Sequence, residues 1–269
     1  MTVSRRGRIS LRIVALGYLG LLLAPPVGLI VFKTFGDGLA PVIDSLTTPE
    51  AQHAFYLTCV MVGIAVPLNT IFGVTCAIVV VRHRFRGRAL LNSLIDLPFA
   101  VSPVVIGLAL ILVYGTRDGW IGKDLADAGS QVIFAPPGMV LATIFVSLPF
   151  VVRETMPVLQ EIGTEQEQAA STLGASGWQT FWRVTLPAIR WGVAYGVILC
   201  TARALGEFGA VSVVSGRISG ETETLPLFVE KQFANFDIAG AYAASMVLAL
   251  LALLVLFSMN LSRRKERTA

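Results

Sequence analysis

Arg203 and Glu207 stand four positions apart inside a run that is otherwise almost wholly apolar, from Ala188 to Val214. On a helix that spacing puts both side chains on one face, where they can pair. By helical rise Arg203 lies about 22 Å along from Ala188. An unpaired guanidinium at that depth in hydrocarbon costs about 3 kcal/mol on insertion scales. Gly206 and Gly209 thin the same stretch and permit a neighbouring helix to approach. Two chemistries fit the pair: a structural salt bridge between helices, or a gating or relay contact on a polar path. A second such stretch holds Asp96, Pro98, Ser102 and Pro103 within an apolar run from Leu90 to Tyr114. Prolines five apart strip hydrogen bonds from a helix, and the freed carbonyls need protein or a water-lined path rather than lipid. A kinked packing helix and a bend lining a pathway both satisfy that need. Asp96 reads as a group that caps or pairs, and Ser102 as a hydroxyl placed at the bend.

A third stretch is polar and small-faced. Between Arg153 and Pro187, Glu154, Glu161, Glu165 and Glu167 lead into Gln168–Ala169–Ala170–Ser171–Thr172–Leu173–Gly174. The alanines and Leu173 favour helix, and Gly174 favours a stop or sharp turn. Trp178, Phe181 and Trp182 follow on one helical face, as in an interfacial helix anchored at lipid headgroups, and Leu186–Pro187 opens the next apolar run, where a proline is cheap. The small-faced first run suits docking against another protein. Other chemistries are poorly supplied. Cys59, Cys76 and Cys200 lie unpaired in apolar stretches and read as small buried hydrophobes. His53 and His83 are the sole histidines, too few for a histidine metal site. Gly122–Lys123 is followed by Asp124, so the chain carries no Gly-x-x-x-x-Gly-Lys-Ser/Thr phosphate loop.

The elements that must position these residues follow from composition. Hydrophobic residues make up 55% of the 269 residues and charged residues 14%, with mean hydropathy +0.73. Soluble domains carry about 25% charged residues, so much of this surface faces lipid. A spanning helix needs about 20 apolar residues, and six segments qualify: Ile13–Phe35, Leu57–Val81, Leu90–Tyr114, Val132–Val152, Ala188–Val214 and Ala239–Leu261. The first has a rival reading as a secretory signal, since Arg5, Arg6, Arg8 and Arg12 precede it. Its length and the lack of a small-x-small cleavage site favour an uncleaved anchor. Basic residues cluster before span one, after span two (Arg82, Arg84, Arg86, Arg88), between spans four and five (Arg153, Arg183, Arg190) and after span six (Arg263, Arg264, Lys265, Arg267). With six spans these fall on one face. The other face shares Lys33, Arg117, Lys123, Arg217 and Lys231. The positive-inside rule then expects both termini in the cytoplasm. The expected organisation is a cytoplasmic segment 1–12, a transmembrane domain 13–261 with a cytoplasmic loop 153–187, and a cytoplasmic tail 262–269. The opposite loops are short and mixed in charge. None is large enough to fold as a substrate-binding domain, and Leu225–Phe233 reads as a short amphipathic helix near the membrane surface.

Residues 168–187 resemble the signature loop of binding-protein-dependent ABC permeases: Glu-Ala-Ala, three residues, Gly, nine residues, Ile, one residue, Leu-Pro. Ala169, Ala170, Gly174, Leu186 and Pro187 match, with Val184 for the isoleucine. Gln168 stands where the pattern has glutamate, with Glu167 just before it, which leaves open whether a carboxylate is used there. Asp96–Val105, Ala202–Gly216 and Thr224–Glu230 are similar to stretches of the sulfate and molybdate branch, and of the W-type sulfate/thiosulfate permease subunits within it. The resemblance implies an all-α polytopic membrane protein of the type I (MetI-like) importer fold with six transmembrane helices. It implies that Glu167, Gln168, Ala169, Ala170, Gly174, Leu186 and Pro187 form a coupling element docked in a cytoplasmic ATPase. It further implies a T-type second permease, two ATPase copies carrying ATP and Mg, and an extracytoplasmic sulfate-binding protein in a bacterial inner membrane. No cofactor bound by this chain, no catalytic residue and no nucleic-acid partner are expected. Asp96, Pro98, Ser102, Pro103, Arg203 and Glu207 are the pathway or gating candidates. Direct sulfate binding by Arg203 is disfavoured because Glu207 would neutralise it. Backbone N–H groups, serines and helix amino ends suit a transient anion better. A molybdate or other oxyanion permease, a secondary transporter or channel, and a membrane scaffold are the alternatives.

Overall fold

A computed structural model describes residues 5–266 except Asp37, with the side chains of 5–10 and 258–266 also outside the description. The expectations for residues 1–4 and 267–269 lie outside it. Helices follow one another without a strand among the described residues: α1 Arg5–Phe35, α2 Ala40–Leu46, α3 Pro49–Arg82, α4 Arg88–Ala100, α5 Pro103–Tyr114, α6 Gly122–Asp127, α7 Pro136–Glu161, α8 Glu165–Thr172, α9 Gly177–Thr180, a π-helical turn Phe181–Thr185, α10 Leu186–Leu205, α11 Val211–Val214, α12 Leu225–Ala234 and α13 Ile238–Glu266. Five of the helical stretches are long and apolar enough to cross a membrane, with α9, the π turn and α10 acting as one. The pair α4–α5, bent by 115°, makes a sixth when it is counted as one broken span.

The break in that pair falls at Val101–Ser102, because a residue before proline avoids the α region. Val101 and Ser102 both take extended ψ values, 138° and 135°. Pro98 stays inside α4 and is buried. Other boundaries move from the sequence expectation. Helix α3 begins at Pro49, capped by Thr48 Oγ1, which accepts the Ala51 N–H at 3.3 Å. Helix α7 continues nine residues past Val152, to Glu161. A helix ends where its backbone bonds end, and hydropathy ends earlier. The fifth span stops at Leu205, with Gly206 as its cap, so residues 206–210 are not helical. The run at Trp178 is no separate interfacial helix. It opens the fifth span, with Ser176 and Gln179 forming a reciprocal capping box at its start. Pro187 is accommodated inside this span by the π turn, in which the Leu186 N–H bonds to the Phe181 carbonyl, five residues back.

Helix α7 is central, flanked by α3 and α10. Glycines set the spacing. A Cβ on Gly73 would lie 2.7 Å from Val151 Cβ, and one on Gly196 would lie 2.8 Å from Val151 Cα. The core at the arginine-rich end joins Val80, Ile95, Val151, Leu159 and Ile189. The core at the opposite end joins Leu57, Ile106, Met139, Val211 and Val214. The amide of Asn69, fully buried, ties α3 to α7 by donating to Ser147 Oγ at 2.9 Å and Ile144 O at 3.1 Å. Helix α12 is helical as expected, and it is packed onto the bundle. Leu225 and Phe228 are buried against Ala51, Ala54 and Ala244, and the Leu225 N–H donates to Thr58 Oγ1 at 2.8 Å. Helix α1 lies along α13 and is otherwise uncovered by the chain. Of the cysteines, Cys200 is buried as expected, whereas Cys59 is exposed and Cys76 half-buried on α3.

Candidate functional site

At the arginine-rich end, α8 projects from the bundle as a two-turn helix with no buried residue. It ends in a Schellman turn: the Gly174 N–H bonds to Ser171 O and the Ala175 N–H to Ala170 O. Gly174 has φ +84°, the left-handed region where a β-carbon is disfavoured. Gln168 is exposed and donates to Thr164 Oγ1 at 3.1 Å. Glu167 is turned the other way. Its Oε2 lies 3.0 Å from Arg82 Nε, and its Oε1 accepts from Arg82 Nη2 at 3.2 Å and from Thr185 Oγ1 at 2.9 Å. Ala169 is exposed and Ala170 half-buried. Leu186 is half-buried and Pro187 exposed; the two open α10 directly after the π turn.

One level deeper, Asp96 on α4 takes both Nε and Nη2 of Arg153 on α7, the former at 2.7 Å, and Arg153 Nη2 also donates to Asn92 Oδ1 at 3.0 Å. Arg153 is about 12 Å from the end of α7 by helical rise, one residue past the apolar run that ends at Val152. The side chains of this fork stay partly open, 31% and 45% exposed.

Near the middle of the bundle the two interrupted helices meet. A Cβ on Gly209 would fall 2.9 Å from Pro103 Cβ, and one on Gly107 would fall 2.9 Å from Ala210 O and 2.7 Å from Val213 Cβ. Ser102 caps α5 without a side-chain bond, and Pro103 occupies the first helical position. Arg203 sits in the last turn of α10, where a cation complements the helix dipole. Its Nη1 lies 2.5 Å from Glu207 Oε2. The pair forms as the spacing requires, but Glu207 lies past the end of α10, not inside a helix. Its Oε1 accepts the Ala210 N–H at 2.9 Å and so fixes the turn into α11. Glu207 is 3% exposed. Gly209 makes the close approach expected of it, whereas Gly206 has nothing near a β-carbon but its own helix's Ala202 O at 3.8 Å.

Most of the chain, residues 69–268, matches the family model described as "Binding-protein-dependent transport system inner membrane component". The chain belongs to that family. Among curated relatives of this inner-membrane component, the sulfate transport system permease protein CysW of Synechocystis is 54% identical, covering 90% of this chain and 87% of the relative. The CysW protein of Escherichia coli K12 is 50% identical, covering 88% and 81%. The sulfate transport system permease protein CysT of Synechococcus elongatus is 41% identical, covering 90% and 87%. The fold is that of a chain in a bacterial ABC transporter involved in import of the acidic polysaccharide alginate, with TM-score 0.74, 19% identity and coverage of 96% and 99%.

Three further residues stand out that sequence patterns present only as charges or not at all. Charge patterning makes Arg82 and Arg153 inside-positive anchors, yet each ends in a carboxylate fork. Asn69 belongs to no motif, although a lone amide inside an apolar span signals a hydrogen-bonded contact. Among the described residues no group of His, Cys, Asp and Glu is arranged to hold a metal.

Proposed function

We propose that this chain is the permease subunit of an ATP-driven importer that moves sulfate, and with it thiosulfate, into the cytoplasm. The observation that carries this reading is the 50–54% identity to sulfate transport permeases named CysW, over about nine-tenths of the chain. The lower identity of 38–41% to CysT proteins supports the W-type role, with a T-type chain as the second permease. An alginate transporter solved with its periplasmic protein supports capture by a separate binding protein. The arginine-rich end then faces the cytoplasm, with both chain termini. Helix α8 is the coupling element, presenting Gln168, Ala169 and the Leu173–Gly174 turn to an ATPase that supplies ATP and Mg. Glu167, Ala170, Leu186 and Pro187 form its base.

The meeting of the two breaks supports a path along Ser102 and Pro103, where uncapped N–H groups of α5 and the Ser102 hydroxyl suit a tetrahedral anion passing through. Arg203 and Glu207 hold the second break in shape and gate the path as a neutralised pair. Asp96, with Pro98 setting the α4 surface around it, closes the cytoplasmic side against Arg153. The test is reconstitution in vesicles with the second permease, ATPase and binding protein, following labelled sulfate against molybdate and phosphate as competitors. ATP-dependent sulfate uptake displaced by thiosulfate and not by phosphate is expected. Uptake driven by a proton or sodium gradient without ATPase would overturn the reading, and displacement by molybdate at lower concentration would reassign the anion.

A further inference from the structure

Helix α8 has almost nothing apolar to hold it. None of its residues is buried, and a cleft of about 370 Å³ bordered by Ile78, Arg82, Ser171, Thr180 and Thr185 separates it from the bundle. Two side chains reach Glu167 from the bundle side, Arg82 and Thr185. Arg82, the last residue of α3, donates from Nη2 to Glu167 Oε1 on α8 at 3.2 Å, and its Nε faces Oε2 at 3.0 Å as an ion pair without a hydrogen bond. Its third nitrogen, Nη1, donates to Leu159 O in the last turn of α7 at 2.9 Å. Glu167 in turn accepts from Thr185 Oγ1, at the end of the π turn leading into α10. The pair is well shielded, with side chains 11% and 22% exposed. An arginine fork grips a carboxylate in one orientation, unlike a lysine point charge. A displacement of α8 is therefore delivered to the ends of α3, α7 and α10 together.

We infer that Arg82 is a positioning residue for coupling: its fork on Glu167 ties the docking helix to the three central spans, so that motion of one becomes motion of the others. The inference rests on the importer reading above. It assigns to Glu167 a task within the membrane subunit, which explains why the exposed neighbouring position tolerates Gln168.

The experiment uses the whole reconstituted transporter and counts ATP hydrolysed per sulfate imported. Arg82→Gln and Glu167→Gln are each expected to leave ATPase binding and the half-saturating sulfate concentration unchanged. Maximal uptake should fall about tenfold and the ATP-to-sulfate ratio rise by a similar factor. Because the two residues act through one contact, the double variant should be no worse than either single change. Arg82→Lys, charged but without the fork, should give an intermediate ratio. An unchanged ratio in both single variants, or single effects that multiply in the double variant, overturns the inference. Should a charge-removing variant fail to accumulate in the membrane, Thr185→Val carries the test. It strips one bond from Glu167 and leaves the charges paired, so a ratio equal to wild type there also overturns it. Wild-type vesicles that import molybdate instead of sulfate would defeat the sulfate assignment alone, and the same ratio would then be read with molybdate.

Discussion

The half of the bundle near the arginine-rich end is made of unbroken helices pressed together through glycine. The half beyond it is organised around two interruptions, at Val101–Ser102 and at 206–210. In the first half, Gly73 and Gly196 bring backbone against α7 so closely that no β-carbon fits, and the helices run on through Pro149, Pro157 and the π turn without a break. In the second, helix ends leave peptide groups over, and Ser102, Glu207 and Arg203 gather there. Close-packed halves move as one body, whereas a junction of helix ends can rearrange while disturbing little side-chain packing. The contrast assigns transmission of force to one half and opening of a path to the other.

The most damaging change to that contrast is Gly196→Leu. Its new side chain would meet Val151 backbone at 2.8 Å, a clash that backbone cannot relieve by a rotamer, so overpacking of about 3 kcal/mol is expected. The protein should be lost from the membrane fraction, or recovered with a much lowered melting temperature in detergent. Next comes Gly174→Val, where open space surrounds the β-carbon and only the left-handed backbone objects, at about 1–2 kcal/mol. Membrane level should hold while ATP-coupled uptake disappears, and uptake persisting at the wild-type rate would remove α8 from the coupling role. Arg203→Ala leaves the Glu207 carboxylate buried with the Ala210 N–H as its remaining bond. Uptake should fall about tenfold with normal expression, since loss of one partner uncovers a buried charge. Loss of the protein itself would make the pair a brace rather than a gate. The smallest effect belongs to Gly206→Ala, on the same segment, where the nearest atom lies 3.8 Å away. Uptake and stability should both stay within about twofold of wild type, and a large loss would mean that residues 206–210 are packed as tightly as the glycine seam.

Much of the architecture is legible in the sequence because it is local. Six apolar runs, the proline-driven break before Pro103, the Gly174 turn and the Arg203–Glu207 spacing each depend on a few consecutive residues. The α7 boundary is not, because a helix continues through charged residues once it leaves hydrocarbon, and hydropathy alone therefore places Arg153 in a loop. Neither is the Arg82–Glu167 fork, whose partners lie 85 positions apart and meet only after α3, α7 and α10 have packed. Leu225–Phe233 reads as a helix near the membrane surface because amphipathicity shows that a face is covered without saying by what, and here Leu225 and Phe228 are covered by α3 and α13.

The π turn at Phe181–Thr185 lodges one surplus residue in an otherwise regular helix. Trp178 just before it and Trp182 within it look outward, 71% and 51% exposed, while downstream Gly192 and Gly196 look inward at α7. Each residue of an α-helix advances the azimuth by about 100°. Deleting a single residue from the turn would swing the glycine seam by that angle relative to the tryptophans. The turn thus works as a keyway, setting the rotational phase between the part of the helix that meets α8 and the part that meets its neighbours in the bundle.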